Sequence, residues 1–313
     1  MAASAPTTAK RADQLALAAA LTTIVFWASA FVGIRAAAAD FSPGALALGR
    51  LIVGAIALGL IVAWRRPRLP TRRQLPSILV IGVLWFGIYF LALNAAEREV
   101  DAGTASLLVN VAPIIVAIFG GLFLGEGFPP RLLIGCVIAL AGVALISVAT
   151  SGAGSGGATT VGILLCFVSA LAYSIAATVQ KPLLRTLPGL TVTWLGCTIG
   201  AIVCLPFLPQ LLTEAPVASG SGLGWLVFLG IFPTAIAFTT WAFAMGRSSV
   251  GRLGSLTYLV PAIAIAIGWL LLAEVPQPLS FVGGAIAIAG VIVARSAPAR
   301  PAAPTVVAGA EAA

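Results

Sequence analysis

Histidine is absent from the 313 residues, which removes imidazole bases, Ser–His and Cys–His nucleophile pairs and the commonest zinc sites. Charge is scarce as well: Asp, Glu, Lys and Arg make up 8% of the chain, against about 25% in a soluble domain. Cysteine occurs at 136, 166, 197 and 204, each time inside an apolar run and never as a CxxC pair. The thiols therefore read as small apolar packers, not as disulfides or metal ligands. Carboxylates collect near the ends of apolar runs, with no pair inside one. No enzyme chemistry, cofactor or metal is expected from such a set.

What remains is overwhelmingly apolar, at 60% of residues and a mean hydropathy of +1.12. A bilayer core roughly 30 Å thick is crossed by about 20 apolar residues in a helix. Windows of that kind recur at approximately 15–36, 43–64, 76–96, 103–125, 131–149, 161–180, 189–211, 223–245, 251–273 and 278–294. The expectation is an all-α membrane protein with ten transmembrane helices. The first window is too long for a signal-peptide core and is retained as a helix.

The net charge of +8 is distributed unevenly. With both termini in the cytoplasm, Lys10, Arg11, the Arg65–Arg73 cluster, Arg131, Lys181, Arg185, Arg247, Arg252, Arg295 and Arg300 all fall inside. Arg35, Arg50 and Arg98 fall outside. That bias is the positive-inside pattern and supports an even number of crossings of a cell (inner) membrane. The Arg cluster reads as a loop facing lipid headgroups, so membrane lipids are expected partners and nucleic acid is not.

The chain is also a tandem duplication. Pro113 and Glu126 recur as Pro261 and Glu274 at one offset, since 261 − 113 and 274 − 126 both equal 148. Gly120, Leu122, Leu124, Pro130, Gly135, Ile138 and Ala139 recur in the same register. Trp27 faces Tyr173, and Arg35 faces Lys181, at a slightly shorter offset. Five helices per copy is odd, so the second copy threads the bilayer upside down, an arrangement common among secondary transporters. The expected organisation is a disordered tail over 1–14, a five-helix repeat over 15–149, a Gly/Ser linker over 150–160, a second repeat over 161–294 and a disordered tail over 295–313.

Polar and aromatic groups deep in the spans are the candidates for function, because each needs a partner in the bundle or a wet cavity. Trp27, Phe31, Tyr89, Asn94, Asn110, Tyr173, Trp241, Thr257 and Tyr258 form the expected solute-binding set, with Trp85 lining the same third helix. Rings with a few amides and hydroxyls suit a small amphipathic or amino-acid-like solute, although interface belts or plain helix packing would use the same residues. Pro113 and Pro261, with Pro233, mark expected kinks and candidate gating hinges. Glu126 and Glu274 are expected to organise helix ends. Arg50, two turns into the second helix, either counters an anionic group in the cavity or snorkels to outer headgroups, the second being preferred. Gly121 with Gly125, and Gly196 with Gly200, are candidate close-approach sites between helices.

These residues resemble the drug/metabolite transporter superfamily and its EamA-type ten-helix members. The resemblance rests on Trp27-Ala28-Ser29-Ala30-Phe31, Leu48-Gly49-Arg50, Leu124-Gly125-Glu126 and the run from Pro261 through Ala273-Glu274 to Gly290-Val291. It implies two inverted five-helix repeats, a central cavity and export of amino acids or other small metabolites. The leading expectation is thus an inner-membrane exporter working by alternating access on a small-molecule substrate, with room for a homodimer. The alternative is a non-transporting scaffold or lipid-interacting subunit.

Overall fold

A computed structural model describes residues 5–99, 108–150, 159–272 and 278–296. Among them every regular element is helical. In chain order these are α1 (Ala5–Ala37), α2 (Pro43–Arg65), α3, α4 (Ala112–Phe123), α5 (Pro130–Thr150), α6 (Thr160–Leu183), α7 (Gly189–Val203), α8, α9 and α10 (Pro278–Arg295). α3 is continuous through Leu75–Ile81, a π-helical stretch at Gly82–Tyr89 and Phe90–Glu99. α8 is built likewise from Gly220–Leu229, a π stretch at Gly230–Ile236 and Ala237–Met245. α9 joins Val250–Gly254, a 3-10 turn at Ser255–Tyr258 and Leu259–Leu272.

Local sequence explains where these helices start. The hydroxyls of Ser42, Thr159, Ser219 and Ser249 each accept a bond from the N–H three residues on, satisfying a donor that the helix itself leaves open. Pro43 follows Ser42 at the first helical position, where a missing N–H does no harm. α1 starts earlier than expected: residues 5–14, read from sequence as a disordered tail, belong to the helix. Ala, Lys, Arg and Gln in that stretch all favour helix, and charge alone does not end one.

Among the described residues five helices are long and apolar enough to cross a membrane: Asp13–Ile34, Pro43–Arg65, Leu75–Ala96, Thr160–Leu183 and Gly220–Met245. The 189–211 window is not one straight helix. α7 breaks at Cys204 and resumes as Leu208–Glu214 at a 54° bend, because Pro206 and Pro209 remove two N–H donors and crowd the preceding turn. Ala112–Phe123, Pro130–Leu145, Val250–Ala264 and Phe281–Arg295 are apolar helices of 10–17 residues, short of the length that would establish a crossing by itself. Leu60, Trp64, Phe123 and Leu270 project from the outer surface, more than two-thirds exposed, where only lipid offers them an apolar surround.

The two halves are interlocked. α1 packs on α8 and α9 of the second half, while α6 packs on α3 and α4 of the first. α2 lies against α7 and the π stretch of α8, and α7 against the π stretch of α3. The two π stretches begin at Gly82 and Gly230, and 230 − 82 is again 148. A wide turn is thus built into equivalent places of both halves, a feature often found where a helix does functional work.

α5 and α10 cross more closely than any side chain would allow. A Cβ on Gly135 would lie 2.6 Å from the Gly290 carbonyl oxygen, and one on Gly290 would lie 2.7 Å from that of Gly135. Gly142 meets Ala287 and Gly283 in the same way. Gly135, Ala139 and Gly142 map onto Gly283, Ala287 and Gly290 at the offset of 148, so the contact is self-complementary about a pseudo-twofold axis. Of the close-approach pairs expected from sequence, Gly196 and Gly200 do receive Phe86 of α3. Gly121 instead makes room for the ring of Phe128, and Gly125, at φ +68°, lies in the turn that ends α4.

Candidate functional site

An interior cavity of about 100 Å³ lies between the halves. Its wall contains Trp27, Ala30 and Ile34 of α1, Arg50 of α2, Trp85, Tyr89, Phe90, Leu93 and Asn94 of α3, and Val109, Asn110, Ala112 and Pro113 in and just before α4. Tyr173 of α6, Phe238 of α8 and Thr257 and Val260 of α9 complete it. Several wall residues are repeat equivalents: 238 − 90, 257 − 109 and 260 − 112 all equal 148, and Trp27 stands opposite Tyr173. The pseudo-twofold axis therefore runs through the cavity.

Aromatic packing holds the wall rigid. Trp85 meets Tyr173 edge-on at 5.0 Å and Phe238 at 5.1 Å, while Trp27 leans on Phe238 at 5.3 Å. The equivalent rings Phe90 and Phe238 meet edge-on at 5.9 Å. Such tilted and edge-on pairs favour a fixed arrangement beyond their simple burial. Polar groups break the apolar wall at a few points. Asn94 donates to the Pro43 carbonyl at 3.2 Å and so ties α3 to the start of α2. The Thr257 hydroxyl donates to the Gly254 carbonyl within its own 3-10 turn. The Tyr173 hydroxyl is buried without a hydrogen-bond partner among the described residues.

Six of the nine residues expected from sequence to bind solute line this one cavity: Trp27, Tyr89, Asn94, Asn110, Tyr173 and Thr257. Two do not. Trp241 stands behind the wall, its ring tilted against that of Trp27 at 4.9 Å, and Tyr258 is fully buried outside the lining. The side chain of Phe31 and all of Glu274 lie outside the described residues. Sequence reasoning left Phe90 and Phe238 out of the binding set. The offset that matched the prolines also matches these two rings and would have found them.

The preferred snorkelling position for Arg50 is wrong. Gly44 through Leu51 are all buried, so the first two turns of α2 have no lipid-facing side along which a long cation could reach headgroups. Arg50 is 3% exposed, its guanidinium stands 4.3 Å over the Phe90 ring, and Nε and Nη2 donate to the Thr234 hydroxyl at 3.1 and 3.0 Å.

Away from the cavity, the turn between α4 and α5 positions Glu126. Gly125 adopts a left-handed conformation that lets the Glu126 N–H bond back to the Gly120 carbonyl at 3.1 Å. Its carboxylate then accepts from the Val250 and Gly251 N–H groups at 2.9 and 3.4 Å, at the start of α9 in the other half. Lys181 donates to the carbonyls of Met245 and Ser248 in the same α8–α9 connection. An anion on a helix N-terminus and a cation on a helix C-terminus are both favourable. Together they fasten this end of the bundle.

Pro113 and Pro261 follow breaks in regular helix. Pro113 comes after a turn at Asn110–Val111, and Pro261 comes after the 3-10 turn at Ser255–Tyr258. Pro233 lies inside the π stretch of α8. Among the described residues no group of acids and cysteines could hold a metal.

This geometry defines a class: a multi-pass helical membrane protein with a ring-lined cavity between two like halves. Comparison with known proteins makes it specific. The chain matches the EamA-like transporter family twice, over residues 14–148 and 160–296, and belongs to that family. It is 36% identical to the probable terminal-alkyne amino-acid exporter of Streptantibioticus cattleyicolor over 273 residues, covering 86% of this chain and 90% of that protein. It is 38% identical to the uncharacterized transporter YdfC of Bacillus subtilis, over 86% of this chain and 87% of that one. Identity with the probable amino-acid metabolite efflux pump of Escherichia coli is 25%, over 88% and 92% of the two chains. A solved crystal structure shares the fold at a TM-score of 0.75 and 24% identity, covering 89% of this chain and 96% of the other. The chain is a transporter.

Proposed function

We propose that the chain exports a small amino-acid-like solute across the cell membrane by alternating access. In this reading both termini are cytoplasmic, and the shorter apolar helices complete ten crossings in two inverted five-helix repeats. The observation that carries the proposal is the cavity itself, which lies between the two halves and includes equivalent residues of both, Phe90 with Phe238, Val109 with Thr257 and Ala112 with Val260. Rocking one half against the other about such an axis exposes a fixed central site to each side in turn.

The charge bias supports a cytoplasmic location for the end fastened by Glu126 and Lys181. The cavity reaches toward the other end, where Asn94 meets the start of α2. The arrangement is therefore read as closed inside, with the breaks before Pro113 and Pro261 as hinges. Outward direction and amino-acid-like cargo draw support from the relatives in Streptantibioticus, a probable amino-acid exporter, and Escherichia, a probable amino-acid metabolite efflux pump. A cavity of rings with the two amides of Asn94 and Asn110 and the hydroxyls of Tyr89, Tyr173 and Thr257 suits such a cargo chemically. A non-transporting scaffold has no observation in its favour. The test is reconstitution of the purified chain into liposomes with a panel of amino acids and related metabolites. Movement of at least one faster than in empty liposomes is expected, and its absence with folded protein refutes the reading.

A further inference from the structure

We propose that Arg50 is the anion anchor of this cavity, holding the carboxylate of the transported solute, with Thr234 as the residue that positions it. The assignment rests on the transport reading and sharpens it to solutes that carry a carboxylate. A guanidinium inside a span is costly to keep there, and an ionisable group at such a depth marks a site of function by default. Arg50 stands in the wall of the cavity at 3% exposure, facing the same space as Asn94 and Tyr173. Its planar fork of donors matches a carboxylate's two oxygens, which an ammonium would not.

The surrounding structure is built to present this group. A Cβ at Gly230 would lie 2.8 Å from the Arg50 carbonyl oxygen, and one at Gly54 would lie 3.2 Å from that of Gly230. The two glycines thus let α2 and the π stretch of α8 approach, which brings Thr234 beside Arg50. Within that stretch the Thr234 hydroxyl donates to the Leu229 carbonyl, five residues back, at 2.7 Å. With its proton committed there, the Thr234 oxygen faces Arg50 as an acceptor for Nε and Nη2. The Phe90 ring supports the guanidinium on one face. Arg50 is consequently held in one orientation at the cavity edge before any solute arrives, which is what a preorganised anchor requires. Because Thr234 belongs to the wide turn of α8, an anion that draws on the guanidinium also acts on the hydrogen bonding of that turn.

The experiment pairs acids with their amides. The full chain, its Arg50→Gln, Arg50→Lys and Thr234→Val variants are reconstituted, and uptake of L-leucine, L-methionine and L-phenylalanine is measured against the amide of each. The parent is expected to move at least one acid and to prefer it over its amide. Arg50→Gln should raise KM for the acid by about 100-fold, as expected for losing one partner of a buried charged pair, and leave the amide little changed. Arg50→Lys should recover part of the preference. Thr234→Val, which keeps the cation and the side-chain volume, should raise KM for the acid about tenfold with maximal rate retained, and it carries the test if Arg50→Gln does not fold. An equal loss for acid and amide would assign Arg50 to structure alone, and an acid preference that survives both Arg50→Gln and Thr234→Val would overturn the anchor. A parent that prefers no acid over its amide overturns it too. A parent that moves no solute refutes the transport reading itself, and the anchor with it.

Discussion

Placing one methyl group at Gly290 should separate α5 from α10. A Cβ there would stand 2.3 Å from the Ala139 nitrogen and 2.7 Å from both the Ala139 Cα and the Gly135 oxygen. All three are backbone atoms of a helix, so no side chain can swing aside to relieve the overlap. Ordinary contact begins near 3.4 Å, and the helices would have to part by roughly 1 Å. A gap of that size forfeits about a quarter to a half of each dispersion contact along the crossing. Overpacking of a tight interface typically costs 1–3 kcal/mol, and with no flexible neighbour the upper end applies, about 3 kcal/mol. The pseudo-twofold axis adds a sharper expectation. Gly142 is the repeat equivalent of Gly290 and would place its Cβ 2.4 Å from the Ala287 nitrogen and 2.6 Å from the Gly283 oxygen. Gly142→Ala and Gly290→Ala should therefore destabilise equally, to within about 0.5 kcal/mol. Gly284 of the same helix is the control, since its Cβ would meet Ala262 at an ordinary 3.7 Å. Gly284→Ala should be neutral or slightly stabilising, by up to about 1 kcal/mol from helix propensity. Denaturant unfolding of purified protein in mixed micelles measures all three. If Gly290→Ala unfolds with Gly284→Ala, the close crossing is not what holds these helices together. Combining Gly135→Ala with Gly290→Ala should cost less than the sum, because the separation that one methyl forces at this crossing also makes room for the other.

Glu126→Gln should weaken the closed end, since charged hydrogen bonds to the Val250 and Gly251 N–H groups are replaced by neutral ones. A loss of about 1.5 kcal/mol shifts the exchange of states roughly tenfold, read as faster labelling from the cytoplasmic side of a cysteine placed at Thr257; an unchanged rate would remove Glu126 from the gate. Single cysteines at Ser151 and Arg72 should label from opposite faces, Arg72 from the cytoplasm, and labelling of both from one face would break the inverted topology. Among the described residues of the cavity wall there is no Asp or Glu, so solute movement should bring no stoichiometric pH change inside proteoliposomes. A proton flux that accompanies solute and vanishes in Glu126→Gln would make Glu126 the coupling site.

The sequence carried the scaffold well because lipid imposes a strong rule: an apolar window must be a helix, as every internal polar backbone group has to be satisfied within it. It also carried the duplication, since the matched residues sit where backbone geometry constrains side chains, as at Gly135 and Pro113. The π stretches were invisible. Gly82–Tyr89 and Gly230–Ile236 differ from α-helix in hydrogen bonds that span one residue more, and hydropathy does not change when a turn widens. Depth along a span was legible, but direction around the helix was not. That is why Trp241 and Tyr258, at sensible depths, turn away from the cavity, and why Arg50 was read toward the headgroups.

The division of labour between the halves follows from the same distinction. Residues that must be equivalent for a symmetric exchange of states recur: the glycines of α5 and α10, the first residues of both wide turns, and Phe90 with Phe238 at the axis. Residues that meet a solute have no reason to recur, because the solute has no twofold axis. Asn94, Asn110, Tyr89 and Arg50 all come from the first half, whereas the second half supplies the hydroxyls of Tyr173 and Thr257. At the repeat positions of Asn94 and Tyr89 stand Ala242 and Ala237, small residues that carry no polar group. In the proposed alternating access, symmetric hinges around an asymmetric wall would let each half take up the other's conformation while the cargo keeps one set of contacts throughout.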